Sequence, residues 1–206
     1  MTIKDEATAS RRSGGYAKGR ARRQQILDEA MTLFGEVGYR SASLRELAAR
    51  VGISHPGLLH YFATKEALLL AVLERRDEID SSTLDEDEGD GVAVLRRLVD
   101  IVELNARRRG VVELYAVLSA EATSSEHPAH DYFVARYAHT LCATTRAYRL
   151  AQERGQLKEG VDPDAAGPQL VALMDGLQLQ WLLDGGRTDM TGIVRAQISA
   201  QLAVPL

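Results

Sequence analysis

The sequence predicts an all-α protein, with an N-terminal three-helix bundle followed by a larger C-terminal helical part. Two observations predict the helices. Apolar residues recur with the 3.6-residue period of an α-helix along most of the 206 residues, and no stretch alternates apolar and polar side chains for long enough to require a strand. A third observation separates the two parts. Residues 1–65 contain eleven Lys or Arg against six Asp or Glu, whereas the whole chain has a net charge of −4.

The N-terminal part shows clear helix starts and stops. A first helix is predicted from about Arg23 to Glu36, and the two glycines of GEVGY end it. Ser43 can cap a second helix over LRELAARVG, where Glu46 completes a capping-box pattern. A later helix runs from Lys65 to about Ile79. The acidic stretch DSSTLDEDEGDG that follows lacks the spaced ligands of a calcium loop, so a solvated loop is expected.

The C-terminal part is predicted to be helical to its end. Its expected helices are Val92–Arg109, Val111–Thr123, Pro128–Arg154, Pro163–Leu183 and Thr188–Leu202.

The composition limits the class of protein. With 45% hydrophobic and 26% charged residues, the chain is ordinary for a soluble protein with a sizeable core. Cys142 is the single cysteine and cannot form an internal disulfide, and the N-terminus lacks the apolar segment of a secretory signal. The longest apolar run, residues 67–73, is much shorter than the roughly 20 residues of a membrane helix. A cytoplasmic protein is therefore expected.

The stretch GISHPGLLHYF, residues 52–62, predicts the turn and second helix of a helix-turn-helix. Gly52 can adopt the positive φ that ends the preceding helix, Ser54 can cap the next one, and Pro56 suits its first turn. Gly57 leaves no side chain near the exposed end. Residues 55, 56, 57 and 60 would lie away from the core side, which holds Leu58 and Tyr61 or Phe62. In DNA-binding proteins this end of the second helix meets bases and phosphates.

A basic segment precedes the first helix. Residues 1–20 are expected to form a disordered arm that contacts phosphate or the minor groove, although a merely solubilising tail is the alternative. The basic residues of this region occur without an intervening acid, and they are Arg11, Arg12, Lys18, Arg20, Arg22 and Arg23.

Residues 23–72, through ILDEAMTLFGEVGYRSASLRELAARVGISHPGLLHYFATKEALL, resemble the N-terminal domain of the tetracycline-repressor (TetR) family of transcriptional regulators. The resemblance implies a DNA-binding domain over residues 21–66, a ligand-binding and dimerisation domain over 67–206, and release of an operator when a small molecule binds. Two positions depart from the family pattern, because Leu59 and Ala42 stand where a phosphate-binding Tyr and a Thr are common. The candidate DNA contacts are Ser43, Arg45, Ser54, His55, Pro56, Gly57, His60, Tyr61 and Lys65, the last expected to grip phosphate.

The helix predicted at Pro163–Leu183 is apolar on nearly all sides, which indicates burial on two sides. With the last helix it resembles the family's contribution to a four-helix dimer interface, although a central helix of a monomeric bundle is the alternative. A mostly apolar ligand pocket is expected between the middle helices. Its candidate residues are Tyr115, Tyr137, Met174, Gln178 and Trp181, with packing in the core as the alternative role of each.

The sequence gives little indication of a metal site or a catalytic site. His55 and His60 are five residues apart and would not align as ligands, and the pair His127 and His130 has no third ligand nearby. His139 and Cys142 lack an oxyanion site and an orienting acid. No cofactor and no catalytic role are expected. The sequence predicts a homodimeric, ligand-responsive repressor that binds double-stranded DNA. The alternative is a helical ligand-sequestering or protein-interaction module that has lost specific operator binding.

Overall fold

The computed structural model describes residues 4–84 and 89–206, with side chains described for residues 18–76 and 89–206. Within these ranges there are nine α-helices, and the extended structure is an isolated β-bridge between Leu157 and Leu202. The helices are α1 (Lys4–Ser41), α2 (Leu44–Arg50), α3 (His55–Tyr61), α4 (Lys65–Leu84), α5 (Gly91–Ala106), α6 (Arg109–Glu121), α7 (His130–Glu153), α8 (Pro163–Leu183) and α9 (Met190–Gln201). The all-α prediction is confirmed.

Most predicted helices are found close to their predicted bounds, and α8 matches at both ends. The largest difference is α1, whose helical backbone begins at Lys4 instead of Arg23. This helical backbone from Lys4 differs from the disordered arm expected over residues 1–20. This segment contains good helix formers such as Ala, Arg and Lys, and its direct continuation into the packed part of α1 offsets the poor helix propensity of its three glycines. The side chains before Lys18, including Arg11 and Arg12, lie outside the described residues.

The ends of two helices also differ from their predicted positions. The helix α4 continues to Leu84 and so includes the first part of the acidic stretch that was expected to be a loop, while residues 85–88 lie outside the described part. The predicted end of the first helix at GEVGY is found as a break within α1, because Gly38 has φ 75° and ψ 167°. The positive φ at this glycine bends the chain before one last turn that ends at Ser41.

The buried apolar residues form two cores. The first lies between α1, α2, α3 and α4, and it includes Phe34, Leu47, Leu58 and Leu69. The end of α6 and the start of α7 also belong to this core, through residues such as Leu118. The N-terminal helices are therefore packed directly on α6.

The second core joins α5, α7, α8 and α9, with Val99, Tyr148, Trp181 and Ile198 among its buried residues. It contains one buried polar anchor, because the Tyr148 hydroxyl donates to Gln201 Oε1 at 2.5 Å. Burial raises the pKa of Tyr148 well above its usual range, so the neutral phenol persists at any physiological pH. None of the described helices is long and apolar enough to cross a membrane.

Candidate DNA interface and ligand cavity

The turn between α2 and α3 is fixed by local hydrogen bonds. Gly52 has φ 68°, its N–H donates to Ala49 O at 3.1 Å, and the N–H of Ile53 donates to Ala48 O at 2.9 Å. These bonds close the end of α2 in a Schellman motif, which requires a residue with positive φ. At the other end of α2, Ser43 Oγ accepts from Arg45 N at 3.2 Å.

The capping box predicted for α2 is only half correct. Ser43 is the N-cap, but the Glu46 carboxylate accepts a hydrogen bond from Arg50 at 2.8 Å. Arg50 also meets Glu29 and Glu36 of α1, at 3.4 and 2.8 Å. The attraction of a guanidinium near three carboxylates diverts Glu46 from the helix start and ties α2 to α1.

The helix α3 begins as predicted. Ser54 Oγ accepts from the N–H of Gly57 at 3.1 Å, and Pro56 lies in the first turn. A Cβ added to Gly57 would stand 3.1 Å from Ser54 Oγ. This position therefore has a local reason to be glycine, since a larger residue would crowd the capping hydroxyl.

The predicted DNA contacts lie at the start of α2, in α3 with its N-cap, and at the start of α4. Ser43, Arg45, Ser54, Pro56 and His60 are exposed, while His55, Gly57, Tyr61 and Lys65 are half-buried.

The core side of α3 consists of Leu58 and Phe62, both buried. Tyr61 packs partly against the first core and makes an edge contact with His60, with ring centroids 5.9 Å apart. Leu59 is exposed on the same helix, whereas Ala42 is buried. A hydroxyl at position 42 would therefore point into the core.

Two basic residues assigned to phosphate binding have partners within the protein. Arg22 donates to Val51 O at 3.0 Å, and the Arg23 guanidinium lies 5.0 Å from the centroid of the Phe62 ring. Both contacts hold α1 against the helix-turn-helix. These contacts join residues far apart in the sequence, so they could not be predicted from the run of positively charged residues.

Lys65, expected to grip phosphate, is also engaged. Its Nζ donates to Arg40 O at 3.2 Å and lies 4.6 Å from the centroid of the Tyr39 ring. Burial lowers the pKa of Lys65, although Glu121 and Glu66 oppose this effect. The Tyr39 hydroxyl donates to Glu66 at 3.1 Å. Lys65 therefore joins the start of α4 to the chain that follows the Gly38 break.

The end of α6 packs against the same residues around Tyr39. Glu121 Oε2 accepts from the backbone N–H of Tyr39 at 2.8 Å and lies 3.6 Å from His127 Nε2. His127 is buried and contacts the edge of the Tyr39 ring, with centroids 5.0 Å apart. We call Tyr39, Lys65, Glu66, Glu121 and His127 the hinge cluster. It is a polar contact between the N-terminal helices and the helix α6.

The same helix forms a wall of a cavity of about 330 Å³ in the C-terminal part. Residues of α5, α6, α7 and α8 surround the cavity, and most of its lining is apolar. The apolar residues include Leu98, Ile101, Val111, Val112, Phe133 and Val171. This volume lies in the range of about 300 to 1,000 Å³ that small-molecule sites occupy.

The cavity also contains charged groups that the sequence did not single out. Arg76 of α4 is 3% exposed and donates to Asn105 Oδ1 at 3.1 Å. Arg76 and Arg136 both lie over the ring of Tyr115, with distances of 5.5 and 4.6 Å to its centroid. The Tyr115 hydroxyl is 2.9 Å from that of Tyr132.

Tyr137 donates to Asp175 Oδ2 at 2.9 Å in the same cavity. Desolvation raises the pKa of Asp175, opposed by the Tyr137 hydrogen bond and by Arg136. Burial, together with the charge of Asp175, raises the pKa of Tyr137 to about 12.

Four of the five predicted pocket residues line this cavity, namely Tyr115, Tyr137, Met174 and Gln178. Trp181 does not. It is buried in the second core beside Arg109, whose guanidinium is 5.6 Å from the indole ring, because its position on α8 faces that core instead of the cavity. Cys142 is exposed on α7. Among the described residues, no three His, Cys, Asp or Glu side chains form a group that could hold a metal ion.

Comparison with known proteins gives the same assignment for both parts. Residues 26–72 match the model of the tetR family of bacterial regulatory proteins, and residues 93–203 match that of the C-terminal part of BetI-type transcriptional repressors. The A-factor receptor protein of Streptomyces griseus is 31% identical over 83% of the chain, although this match spans only 59% of the receptor's length. The HTH-type transcriptional repressor Rv1474c of Mycobacterium tuberculosis is 31% identical over 76% of the chain and 80% of the repressor.

A solved structure shows the same fold. A putative transcriptional regulator from Saccharomonospora viridis, in complex with choline, superposes with a TM-score of 0.71 at 23% identity, covering 87% of the chain and 96% of that protein. The two family matches together include the helix-turn-helix and the helices around the cavity. The chain therefore belongs to the tetR family of bacterial regulatory proteins and is a DNA-binding transcriptional regulator.

Proposed function

We propose that the protein is a homodimeric repressor that a small molecule, bound in the cavity between α5 and α8, releases from a pseudo-palindromic operator. The observation that carries this proposal is the position of α6. One side of this helix lines the cavity through Val112, Tyr115 and Ser119, and its last residue, Glu121, accepts the hydrogen bond from Tyr39. A ligand that shifts α6 would therefore move the contact that holds the DNA-binding part.

On the DNA side, α3 would enter the major groove. His55 and His60 would reach base edges, while Ser54 and the backbone at Gly57 would lie near phosphate. Ser43 and Arg45 at the start of α2 would contact the sugar-phosphate backbone of the DNA. Tyr61 would support His60 from the same helix, and Lys65 would reach phosphate only by leaving the Tyr39 ring.

The C-terminal part would form the contact between the two subunits of the dimer. Apolar side chains of α8 and α9 are exposed on the isolated chain, with Leu179 54%, Leu183 80% and Ile193 41% exposed. Such side chains on two adjacent helices are expected to be covered by a second copy. The two recognition helices would then meet half-sites about 34 to 36 Å apart.

Mobility shifts on the promoter DNA beside the protein's own gene test the proposal, with unrelated DNA of equal length as the comparison. We expect a specific complex that persists at physiological salt and a protected region with two-fold symmetry. Binding that is equal on both DNAs would favour a protein that has lost operator recognition. Compounds that raise the melting temperature of the protein should then displace the operator.

A further inference from the structure

The outer side of α3 is more apolar than a helix that reads DNA by hydrogen bonds alone would need. Pro56, Leu59 and His60 are the exposed residues of this helix, while its other four residues are half-buried or buried. Leu59 is 36% exposed. One of the three exposed side chains can therefore hydrogen-bond to a base, and the other two can contribute only apolar contacts.

Leu59 lies beside the residues proposed to meet the bases. It follows His55 by four residues and Pro56 by three, and a helix makes one turn in 3.6 residues, so these three side chains are neighbours on the helix surface. The next residue, His60, is exposed as well. A DNA groove that receives His55 and His60 would therefore also receive Leu59.

The chemistry of Leu59 restricts what it can contact. Its side chain has no polar atom, so it cannot replace the phosphate contact of the tyrosine that is common at this position in the family. Covering its exposed methyl groups is favourable, because apolar surface is then removed from water. Leu59 is therefore suited to an apolar group of the bound DNA.

The major groove offers one such group at the edges of its bases, which is the C5-methyl group of thymine. The other groups that distinguish the bases there are hydrogen-bond donors and acceptors. These groups would lose water against a leucine side chain without gaining a partner. A leucine that faces the major groove therefore favours a base pair that places a thymine methyl group within its reach.

We propose that Leu59 is a specificity-determining residue that recognises the methyl group of a thymine in each half-site of the operator. This inference rests on the proposed function, because it takes α3 to lie in the major groove. His55 and His60 would read neighbouring bases by hydrogen bonds. Leu59 would thus contribute to the choice of operator and not to the general affinity for phosphate.

The test uses the full-length protein and a DNA duplex whose sequence the protein selects from a random pool. Each thymine is replaced in turn by deoxyuridine, which lacks only the C5-methyl group. We expect one thymine in each half-site whose replacement weakens binding by about three- to fivefold, the effect of one buried methyl group. Competition followed by fluorescence anisotropy measures these ratios. A selected sequence without a preferred thymine, or one in which no thymine is sensitive, would overturn the proposal.

Variants assign the methyl contact to this side chain. Leu59→Ala should bind the thymine and deoxyuridine duplexes equally at the sensitive position, because an alanine does not reach the base. Leu59→Met keeps a long apolar side chain and should retain the preference for thymine. Leu70→Ala is the matched control, since Leu70 is 39% exposed and lies on α4. A thymine preference that persists in Leu59→Ala, or a loss of affinity that is equal on all duplexes, would contradict the proposal.

The same measurements separate this inference from the proposed function. A selected two-fold sequence that shows no methyl sensitivity leaves the repressor proposal intact and overturns the inference. If one thymine is sensitive through Leu59 but no small molecule releases the DNA, the inference stands and ligand-induced release fails. A selection that yields no preferred sequence removes operator recognition, and both proposals then fail.

Discussion

Single residues on α3 carry the reading of bases in the proposed complex. His55 lies in the first turn of this helix, half-buried and next to the exposed Pro56. Its ring can donate or accept a hydrogen bond, so the base that it prefers depends on the tautomer.

His55→Ala should weaken binding to the cognate site by about 1 to 3 kcal/mol, because a base contact is lost. Binding to unrelated DNA and the dependence of affinity on salt should hardly change, since no phosphate contact is removed. Fluorescence anisotropy at several salt concentrations measures both. His139→Ala, an exposed histidine of α7, is the control. Equal losses on both DNAs would show that His55 does not read sequence.

His127 should make the stability depend on pH. Burial lowers its pKa below the ordinary value of 6.5, and Arg40 acts in the same direction while Glu121 opposes both. The unfolded chain therefore binds a proton at a higher pH than the folded protein does. The free energy of unfolding should decrease as the pH falls below about 6.5, until the pH reaches the folded pKa.

Urea denaturation between pH 5 and 8 checks this expectation. The decrease below pH 6.5 should be smaller in His127→Gln, which cannot titrate. His139→Gln, which changes an exposed histidine, should keep the full decrease. A His127→Gln profile with the same slope as the natural protein would rule out His127 as its source.

At the scale of elements, two glycines with positive φ end helical segments in different surroundings. Gly52 has open space around the place where a Cβ would stand, whereas a Cβ on Gly38 would lie 2.5 Å from Glu121 Oε1. Gly52 is needed only for its positive φ. Gly38 is needed for its positive φ and also because a side chain there would collide with Glu121 at the contact between α1 and α6.

Gly52→Ala should cost about 1 to 2 kcal/mol of stability from left-handed backbone strain alone. Gly38→Ala should cost about 1 to 3 kcal/mol more, because Glu121 must move and its hydrogen bond to Tyr39 is lost. Chemical denaturation followed by circular dichroism measures the difference. Gly110→Ala in α6, with open space and no positive φ, should not destabilise. Equal losses at positions 38 and 52 would contradict the role of the α6 contact.

The carboxylate at the end of α6 should support operator binding as well as stability. Glu121→Ala should lower the free energy of unfolding by about 1.5 to 3 kcal/mol, because the Tyr39 N–H loses a charged acceptor. It should also weaken operator binding, since the hinge cluster orients the start of α4. Glu126→Ala, an exposed glutamate five residues later, should stay within about 0.5 kcal/mol. Denaturation measures the stability, and mobility shifts measure the operator affinity. If Glu121→Ala leaves the operator affinity unchanged, the hinge cluster does not transmit ligand binding to the DNA-binding helices.

At the scale of the whole molecule, the two parts are not separate along the chain. The boundary predicted between residues 66 and 67 cuts α4 after its second residue, and the first core takes Leu114 and Leu118 from α6. Residues 21–66 alone would therefore expose apolar surface that α4 and α6 cover. This shared packing gives the cavity a direct connection to the helix-turn-helix.

The proposed dimer predicts a strong effect of one charge on α8. Leu183→Asp should convert the dimer to a monomer, because a carboxylate would be buried in the subunit contact. Val134→Asp is the control, since Val134 is 56% exposed and lies on α7, outside the two helices proposed to form the contact. Sedimentation velocity distinguishes the two states. A Leu183→Asp protein that remains dimeric would place the subunit contact elsewhere.

Features that depend on near neighbours could be predicted from the sequence. The caps at Ser43 and Ser54, the turn at Gly52 and both ends of α8 follow from interactions within about four residues, which a sequence pattern records directly. The pattern of α3 also predicted that Leu58 is buried and that Pro56 and His60 are exposed, whereas His55 and Gly57, expected on the exposed side, are half-buried.

The tertiary structure alone decided which polar residues meet. Arg76, Arg136 and Asp175 come from α4, α7 and α8 and share one cavity, while Trp181, on the same helix as Asp175, faces a core. Arg22 and Arg23 were expected to bind phosphate from the run of positive charge, and Lys65 from the family resemblance, but each has a partner distant in the sequence. Such contacts depend on how helices cross, and a local pattern of charge and hydrophobicity does not record that geometry.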